Sequence, residues 1–573
     1  MNYKANPVSE GIALGSAFHY QPYTPVISEG TVPETEVEAA VAKYEAAQAA
    51  AKAELDAVCQ KLEATDPDKA KIFAAHLDIL FDAAMDEDIH DDITYEYYTP
   101  QWATHKVYEK YIKIIGKSKD ELIRERVADM KDVKNRLLRC MEGLPEKNLA
   151  TLASPVVVVA HDLFPSDTAT LDRSKVLAIV TEVGGATSHS AIIARSYEIP
   201  ALLGLENAMT LIPYAADLIV DAVEGKLIVG PTAQETADYT EKQKAFAVKR
   251  AETKKYLGVE PKTADGVHIE VELNIGSASV QELEGSAYTD GVGLFRTEFF
   301  YMGKSQLPTE DEQYEAYKKV LMEFGDRPVT IRTLDIGGDK KLDCMELPVE
   351  DNPFLGNRAL RLCFNMPDVF KTQLRACLRA SVHGNLWLMF PMVGSIDDIR
   401  RAKAAVAEAK AELDAEGVPY STTMKVGIMV EIPSIAIIAD LAAQEADFAS
   451  IGTNDLTQYT TAVDRMNPAI TQYYQPYSPA MFRLIGNVVR EFNKAGKPIC
   501  VCGEMGGDKL AAPVLVGLGM RRLSMGISSV AQIKKVLSGL TIAKAQELAA
   551  QAQSLATAAE IEALLRRELT PLF

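Results

Sequence analysis

No two cysteines of the chain stand in C-x-x-C spacing, and no cysteine–histidine cluster has the spacing of a zinc site. The seven cysteines are scattered from Cys59 to Cys502, which points to reduced thiols in a cytoplasmic protein rather than a disulfide framework. No apolar run approaches the roughly 18 residues that span a bilayer. The opening MNYKANPVSEGIALG lacks the charged start and apolar centre of a signal peptide, so no membrane segment is expected. Positive charge is in deficit: 60 Lys and Arg stand against 80 Asp and Glu, a net −20. That balance argues against nucleic acid and anionic membranes as partners and suits a protein with a basic face. A P-loop pattern is absent as well. The bulk composition is ordinary for a globular protein, 47% hydrophobic and 24% charged, and 573 residues are enough for several domains with separate cores.

Residues 1–25 carry Gly11-Ile12-Ala13-Leu14-Gly15 and read as a short strand and loop, set off by prolines at 22, 25 and 33. From Thr35 to Gly143 the apolar spacing is helical. Val37, Val41, Tyr44, Ala47 and Ala51 lead into Leu55, Val58 and Leu62. Ile72, His76, Leu77 and Leu80 form a second stripe. Val107, Tyr111 and Ile114 form a third, and Val127, Met130, Val133, Leu137 and Met141 a fourth. This is a four-helix insertion. His76 reads as a core or groove residue, His90 and His105 as solvated ones. An exposed apolar stripe on such a bundle would suit a docking partner. From Pro155 to Gly230 the period shortens, with strands expected at 156–160, 176–180, 201–203, 218–221 and 226–229 and a hairpin turn at Glu224-Gly225. The 1–25 piece is expected to join this α/β domain. Residues 232–258 read as an exposed connecting helix and a candidate hinge.

The central motif is Gly184-Gly185-Ala186-Thr187-Ser188-His189-Ser190-Ala191-Ile192-Ile193-Ala194-Arg195. An apolar strand precedes it and an apolar helix face follows. The two glycines permit a tight turn and close approach to a ligand, and Thr187 or Ser188 is a plausible N-cap. His189 therefore falls at a helix start, where open N–H groups and the dipole favour a phosphate and disfavour imidazolium. A neutral imidazole is a nucleophile, so His189 is a candidate phosphoryl carrier; a capping histidine beside a structural turn is the plain alternative.

From His268 onward strands alternate with helices. Strands are expected at 269–273, 292–295, 329–333, 386–390, 426–430, 448–451, 499–502 and 522–524, with helices at 400–416 and 480–495 among those between. Eight units fit a (β/α)₈ barrel, with an open doubly wound sheet as the alternative. Active residues of barrels sit at the carboxyl ends of strands. Those positions hold Arg296, Arg332 with Lys340 beyond it, Glu431, Asn454-Asp455 with Arg465 following, and Cys502. Arginine forks fit phosphate and carboxylate. Glu431 and Asp455 are hard oxygen ligands suited to Mg²⁺, and a tuned Cys502 could donate a proton. One at a time, these residues also read as ion pairs, helix caps or core; their joint placement indicates a phosphate-handling site.

GGATSHSAIIAR, GVGLFRTEFFYM, IRTLDIGGDK, NPFLGNRALR, VGIMVEIPS, SIGTNDLTQYTTAVDR and CGEMGGD together resemble the enzymes that use phosphoenolpyruvate, and above all enzyme I of the bacterial sugar phosphotransferase system. The resemblance covers nearly the whole chain. It implies a multidomain α/β protein: a phosphohistidine domain (1–25 with 146–231), a four-helix subdomain that binds the carrier protein HPr (26–145), a linker helix (232–260), and a C-terminal (β/α)₈ barrel that binds phosphoenolpyruvate and forms the homodimer (261–573). It further implies that Arg296, Arg332, Arg465, Asn454 and the Asp455 backbone bind phosphoenolpyruvate and that Glu431 and Asp455 hold Mg²⁺. Cys502 would protonate the enolate, Thr168 would orient the imidazole, and His189 would carry the phosphoryl group to HPr. A pyruvate-phosphorylating dikinase or synthase relative, the nitrogen-branch regulatory paralogue, and a sensor without turnover are the rival readings.

Overall fold

The computed structural model describes the chain apart from residues 22–24, 26, 64–75, 116–120, 145–148, 150–151, 164–170, 185–188, 303, 305, 338–343, 346 and 348–349. It divides into two compact units, Met1–Phe246 and Ala247–Phe573.

In the first unit the N-terminal residues do more than the single strand expected of them. They form β1 (Asn2–Lys4), β2 (Asn6–Ser9) and β3 (Ile12–Tyr20). With β4 (Val156–Ala160), β5 (Val176–Thr181), β6 (Ala201–Leu203), β7 (Asp217–Asp221) and β8 (Lys226–Val229) they build an eight-stranded sheet ordered β1-β8-β7-β3-β4-β5-β6-β2. β1 and β2 thus supply both edges, while β3 to β6 run parallel in the middle. The Val-Val-Val-Val-Ala run of β4 is buried throughout because apolar clusters cover both faces, Val156, Val158 and Ala160 on one side and Val157 and Val159 on the other. The β7–β8 hairpin turns at Gly225, whose φ is +68° and where a Cβ would lie 2.8 Å from the Ala5 carbonyl oxygen.

Between β3 and β4 the chain forms α1 (Val37–Glu63), α2 (Ala83–Thr94), α3 (Pro100–Ile115) and α4 (Glu121–Met141). Tyr44, Ala51, Leu55, Val107, Val133 and Leu137 of the predicted stripes share one core with Ile89 and Ile93, which no stripe contained. Ile114 of the third stripe is 57% exposed instead, and Ile72 of the second lies outside the described residues. Residues 76–80, from the second stripe, are helical, and α2 is a further helix that periodicity did not separate from them. The break at Phe81-Asp82 contains neither glycine nor proline; it is made by the Asp82 carboxylate, which accepts the N–H groups of Ala84 and Met85 at 3.1 and 3.0 Å. His76 is buried as expected, with Nε2 3.2 Å from Asp129 Oδ1. His90 and His105, expected to be solvated, are half-buried. His90 packs edge-on against Tyr44, and His105 stacks on Trp102, where burial lowers its pKa. The stripes failed to show this because both histidines flank the core face rather than occupy it. After β8 the expected connecting helix runs from Ala233 to Lys254, with only Tyr239 buried.

The second unit is built on β9 (Glu270–Ile275), β10 (Val292–Arg296), β11 (Pro328–Arg332), β12 (Asn385–Phe390), β13 (Lys425–Val430), β14 (Ala449–Ile451), β15 (Ile499–Val501) and β16 (Arg522–Met525). All are parallel, and β16 pairs back onto β9 from Arg522↔Glu270 to Met525↔Leu273, which closes the barrel and excludes the open sheet. Its centre is filled by Leu294, Trp387, Met389, Met429, Phe448 and Cys502. Helices surround it, among them Ile396–Glu416, begun by a Ser395–Asp398 capping box, and Pro479–Lys494. Among the described residues no helix is long and apolar enough to cross a membrane.

Candidate active site

Each strand-end residue singled out from the sequence lies where the barrel rule puts it. Arg296 and Arg332 end β10 and β11; Glu431 follows β13; Asn454 and Asp455 open the helix Thr453–Thr461 after β14; Cys502 follows β15. Between them runs a buried line of alternating charge. Arg332 Nη2 donates to Glu298 Oε1 at 2.7 Å, and its Nη1 lies 2.9 Å from Asp335 Oδ2. Arg358 Nη2 donates to the other oxygen of Asp335 at 2.9 Å, and its Nη1 to Asp455 Oδ1 at 3.3 Å and to the Tyr459 hydroxyl at 3.2 Å. Asp455 Oδ2 then faces Arg465 Nη2 at 3.8 Å. Burial works against the charge on Arg332, but Glu298 and Asp335 outweigh it and hold its pKa above the usual arginine value.

Arg358 is the residue that sequence reasoning missed. It belongs to NPFLGNRALR but lies in the crossover after β11, at no strand end, so the positional rule did not reach it. Its backbone packs against Gly337, whose φ is +109° and where a Cβ would sit 2.5 Å from Arg358 Cβ.

Glu431 is 1% exposed. Its Oε1 accepts the Met392 N–H at 2.5 Å, and its Oε2 is buried with no hydrogen-bond partner among the described residues. Burial first, then the Asp455 and Asp335 carboxylates, push its pKa up to about 8 against the pull of Arg332 and Arg358. Gly452 lies against the open oxygen: a Cβ there would stand 2.9 Å from Oε2. No group of three or more histidine, cysteine or acidic side chains arranged for a metal occurs among the described residues, so a cation here would draw on two carboxylates and on ligand oxygens.

Cys502 sits at the top of the apolar barrel filling, and burial pushes its thiol up to about 11 although Arg332 and Arg296 draw it down. It is a protonated group at neutral pH. Asn454 Oδ1 accepts the Glu504 N–H at 3.1 Å, and Tyr474 donates to the Asn454 carbonyl at 3.2 Å. Arg296 is half-buried, and its side chain makes no hydrogen bond or ion pair among the described residues, so its fork could meet a ligand.

In the first unit the helix His189–Ser196 begins at His189. Its first turn is tied down by Ser190 Oγ, which donates to Asp162 Oδ1 at 2.9 Å and approaches the Leu163 carbonyl at 3.2 Å. The His189 side chain, the loop 185–188, Thr168 and Lys340 lie outside the described residues.

The carboxyl rim of the closed barrel thus gathers arginines, carboxylates and a buried thiol at one end of the sheet. Residues 250–542 match the PEP-binding domain of the PEP-utilising enzymes, residues 4–126 their N-terminal domain and residues 152–225 their mobile domain. The phosphoenolpyruvate-protein phosphotransferase of Bacillus sp. (strain S) is 43% identical over 98% of this chain and 96% of its own length. That of Priestia megaterium is 45% identical over 93% of each, and that of Bacillus subtilis (strain 168) 41% identical over 97% and 98%. The chain belongs to the phosphoenolpyruvate-protein phosphotransferase family.

Proposed function

We propose that the chain takes the phosphoryl group of phosphoenolpyruvate onto His189, releases pyruvate, and passes the group to a histidine of the carrier protein HPr, the first step of sugar phosphotransferase uptake. The observation that carries this reading is the alternating line Glu298–Arg332–Asp335–Arg358–Asp455–Arg465 at the carboxyl rim of the barrel. Its carboxylates hold the guanidinium groups in fixed orientation before any ligand arrives, as phosphoryl transfer by positioning and charge stabilisation requires.

In this mechanism Arg332, Arg465 and the free Arg296 grip the phosphate and carboxylate of the substrate, assisted by Asn454 and the Asp455 backbone. The imidazole of His189, in its neutral form, would attack phosphorus. The N–P bond forms as the bond from phosphorus to the enolate oxygen breaks, and the enolate keeps that electron pair. Its methylene carbon then takes the proton from the Cys502 thiol, giving pyruvate. Glu431 and Asp455 fit Mg²⁺, since a buried carboxylate oxygen is left open beside a glycine cradle. Bound there, Mg²⁺ would offset negative charge on the transferring group.

The remaining assignments follow from the same reading. Residues 1–25 with 146–231 form the phosphohistidine domain, and 26–145 the HPr-docking subdomain. Residues 232–260 form the linker, which lets one histidine serve two partners, and 261–573 the barrel. Ile437 and Leu441, exposed at 65% and 46%, are candidates for a homodimer contact on the barrel. A cytoplasmic location suits the reduced thiols. The test is incubation with phosphate-labelled phosphoenolpyruvate and Mg²⁺. Label on the wild-type chain, lost in His189→Ala and chased to added HPr with release of pyruvate, supports the proposal. Label retained by His189→Ala defeats it.

A further inference from the structure

Met392 stands two residues beyond the carboxyl end of β12, after Pro391, and its backbone is left-handed, with φ at +53°. Non-glycine residues rarely adopt this conformation, and strain of this kind persists where surrounding structure enforces it, often at functional sites. Met392 is also 2% exposed, so neither solvent nor a loose loop accounts for the strain. What the conformation achieves is visible in its hydrogen bond: the Met392 N–H meets Glu431 Oε1 at 2.5 Å.

A carboxylate held at one oxygen by a fixed donor has little torsional freedom left, so its second oxygen also takes a set position. For Glu431 that second oxygen is Oε2, buried, unpartnered among the described residues and lodged beside Gly452. The geometry points to Met392 as a positioning residue for Glu431: its left-handed backbone aims an N–H at Oε1 and thereby reserves Oε2 for a divalent cation. This rests on the reading of Glu431 as a metal ligand given above. The competing explanation is that the Met392 side chain matters instead, since its sulfur lies 3.8 Å from the Tyr459 hydroxyl.

The two explanations rank substitutions in opposite order. Glycine adopts left-handed φ freely and keeps the N–H but discards the whole side chain. Valine keeps apolar bulk but resists positive φ. The full-length chain carrying His189→Ala, which prevents turnover, would be titrated with Mn²⁺ in the presence of phosphoenolpyruvate, with free Mn²⁺ read by electron paramagnetic resonance. Met392→Gly is expected to bind Mn²⁺ within about twofold of the parent, and Met392→Val to bind about tenfold or more weakly, the usual scale for losing a residue that orients a metal ligand. Equal binding by Met392→Val, or a loss in Met392→Gly as large as in Met392→Val, overturns the inference. Glu431→Gln separates the two levels: if it binds Mn²⁺ as the parent does, the metal reading itself fails, whereas loss in Glu431→Gln with none in Met392→Val removes only the role of Met392. Should Met392→Val not fold, Met392→Gly and Met392→Ala decide the question by thermal melting. Relief of strain makes the glycine variant the more stable of the two, and the reverse order refutes it.

Discussion

Replacing Arg358 by methionine removes the middle of the buried charge line while nearly keeping the length of the side chain. Two carboxylates lose a partner. Asp335 keeps Arg332 at 2.9 Å, but among the described residues Asp455 keeps only the longer contact to Arg465, at 3.8 Å. Removing one member of a buried ion pair costs about 3–5 kcal/mol, because the charge left behind remains out of water. Here one of the two abandoned carboxylates stays well paired, which sets the expectation at the lower end, about 3 kcal/mol. The chain has two tryptophans, Trp102 and Trp387, one in each unit, and Trp387 is 5% exposed in the barrel. In a Trp102→Phe background, urea unfolding followed by tryptophan fluorescence therefore reports on the barrel alone. Arg358→Met should lower its unfolding free energy by about 3 kcal/mol, and adding Asp455→Asn should recover part of that loss by removing the charge left without Arg358. A loss below about 1 kcal/mol, or strict additivity of the two substitutions, would show that Arg358 is not the link this reasoning makes it.

Three further outcomes follow from the same geometry. Gly452→Ala places a Cβ 2.9 Å from Glu431 Oε2; the Mg²⁺ concentration for half-maximal pyruvate release should rise about tenfold, and an unchanged requirement would count against the cradle. Cys502, buried and with a thiol pushed up to about 11, should resist iodoacetamide at pH 7.5 long after Cys59 and Cys140 have reacted, as peptide mass mapping of the native chain would reveal; early labelling of Cys502 contradicts its environment. Glu109 is held below the usual carboxylate range, first by its hydrogen bond from Lys134, against a smaller opposing effect of burial. A lowered folded value stabilises the protein above the ordinary glutamate pKa of about 4.3 and ceases to do so as pH falls through the folded value. Glu109→Gln should therefore lower the melting temperature of the first unit at pH 6 and flatten its fall between about pH 5 and 3; parallel curves for the two proteins would refute the sign.

The strands were legible because burial on one or both faces writes itself into short apolar runs. All eight barrel strands fall within about two residues of their expected ends, and Gly225 marked its hairpin. Two kinds of feature were not legible. The break before α2 is made by a side-chain cap at Asp82, and aspartate is too common on polar helix faces to stand out there. The β1 and β2 strands are three and four residues long, shorter than any periodicity can register. Among the site residues, those at strand ends could be named from position alone. Arg358 could not, since its partner Asp455 lies 97 residues away along the chain.

The sequence alone determined the order of the elements, the period of each, and the residue types gathered after the strands, because these depend on neighbours within one turn or one pleat. Tertiary structure alone decided which charges meet, that β16 returns to β9 across 250 residues between Arg522 and Glu272, and that Met392 is forced into a left-handed conformation over Glu431. Contacts of this kind are set by how the closed barrel brings distant loops onto one rim, and no local pattern of side chains encodes that distance.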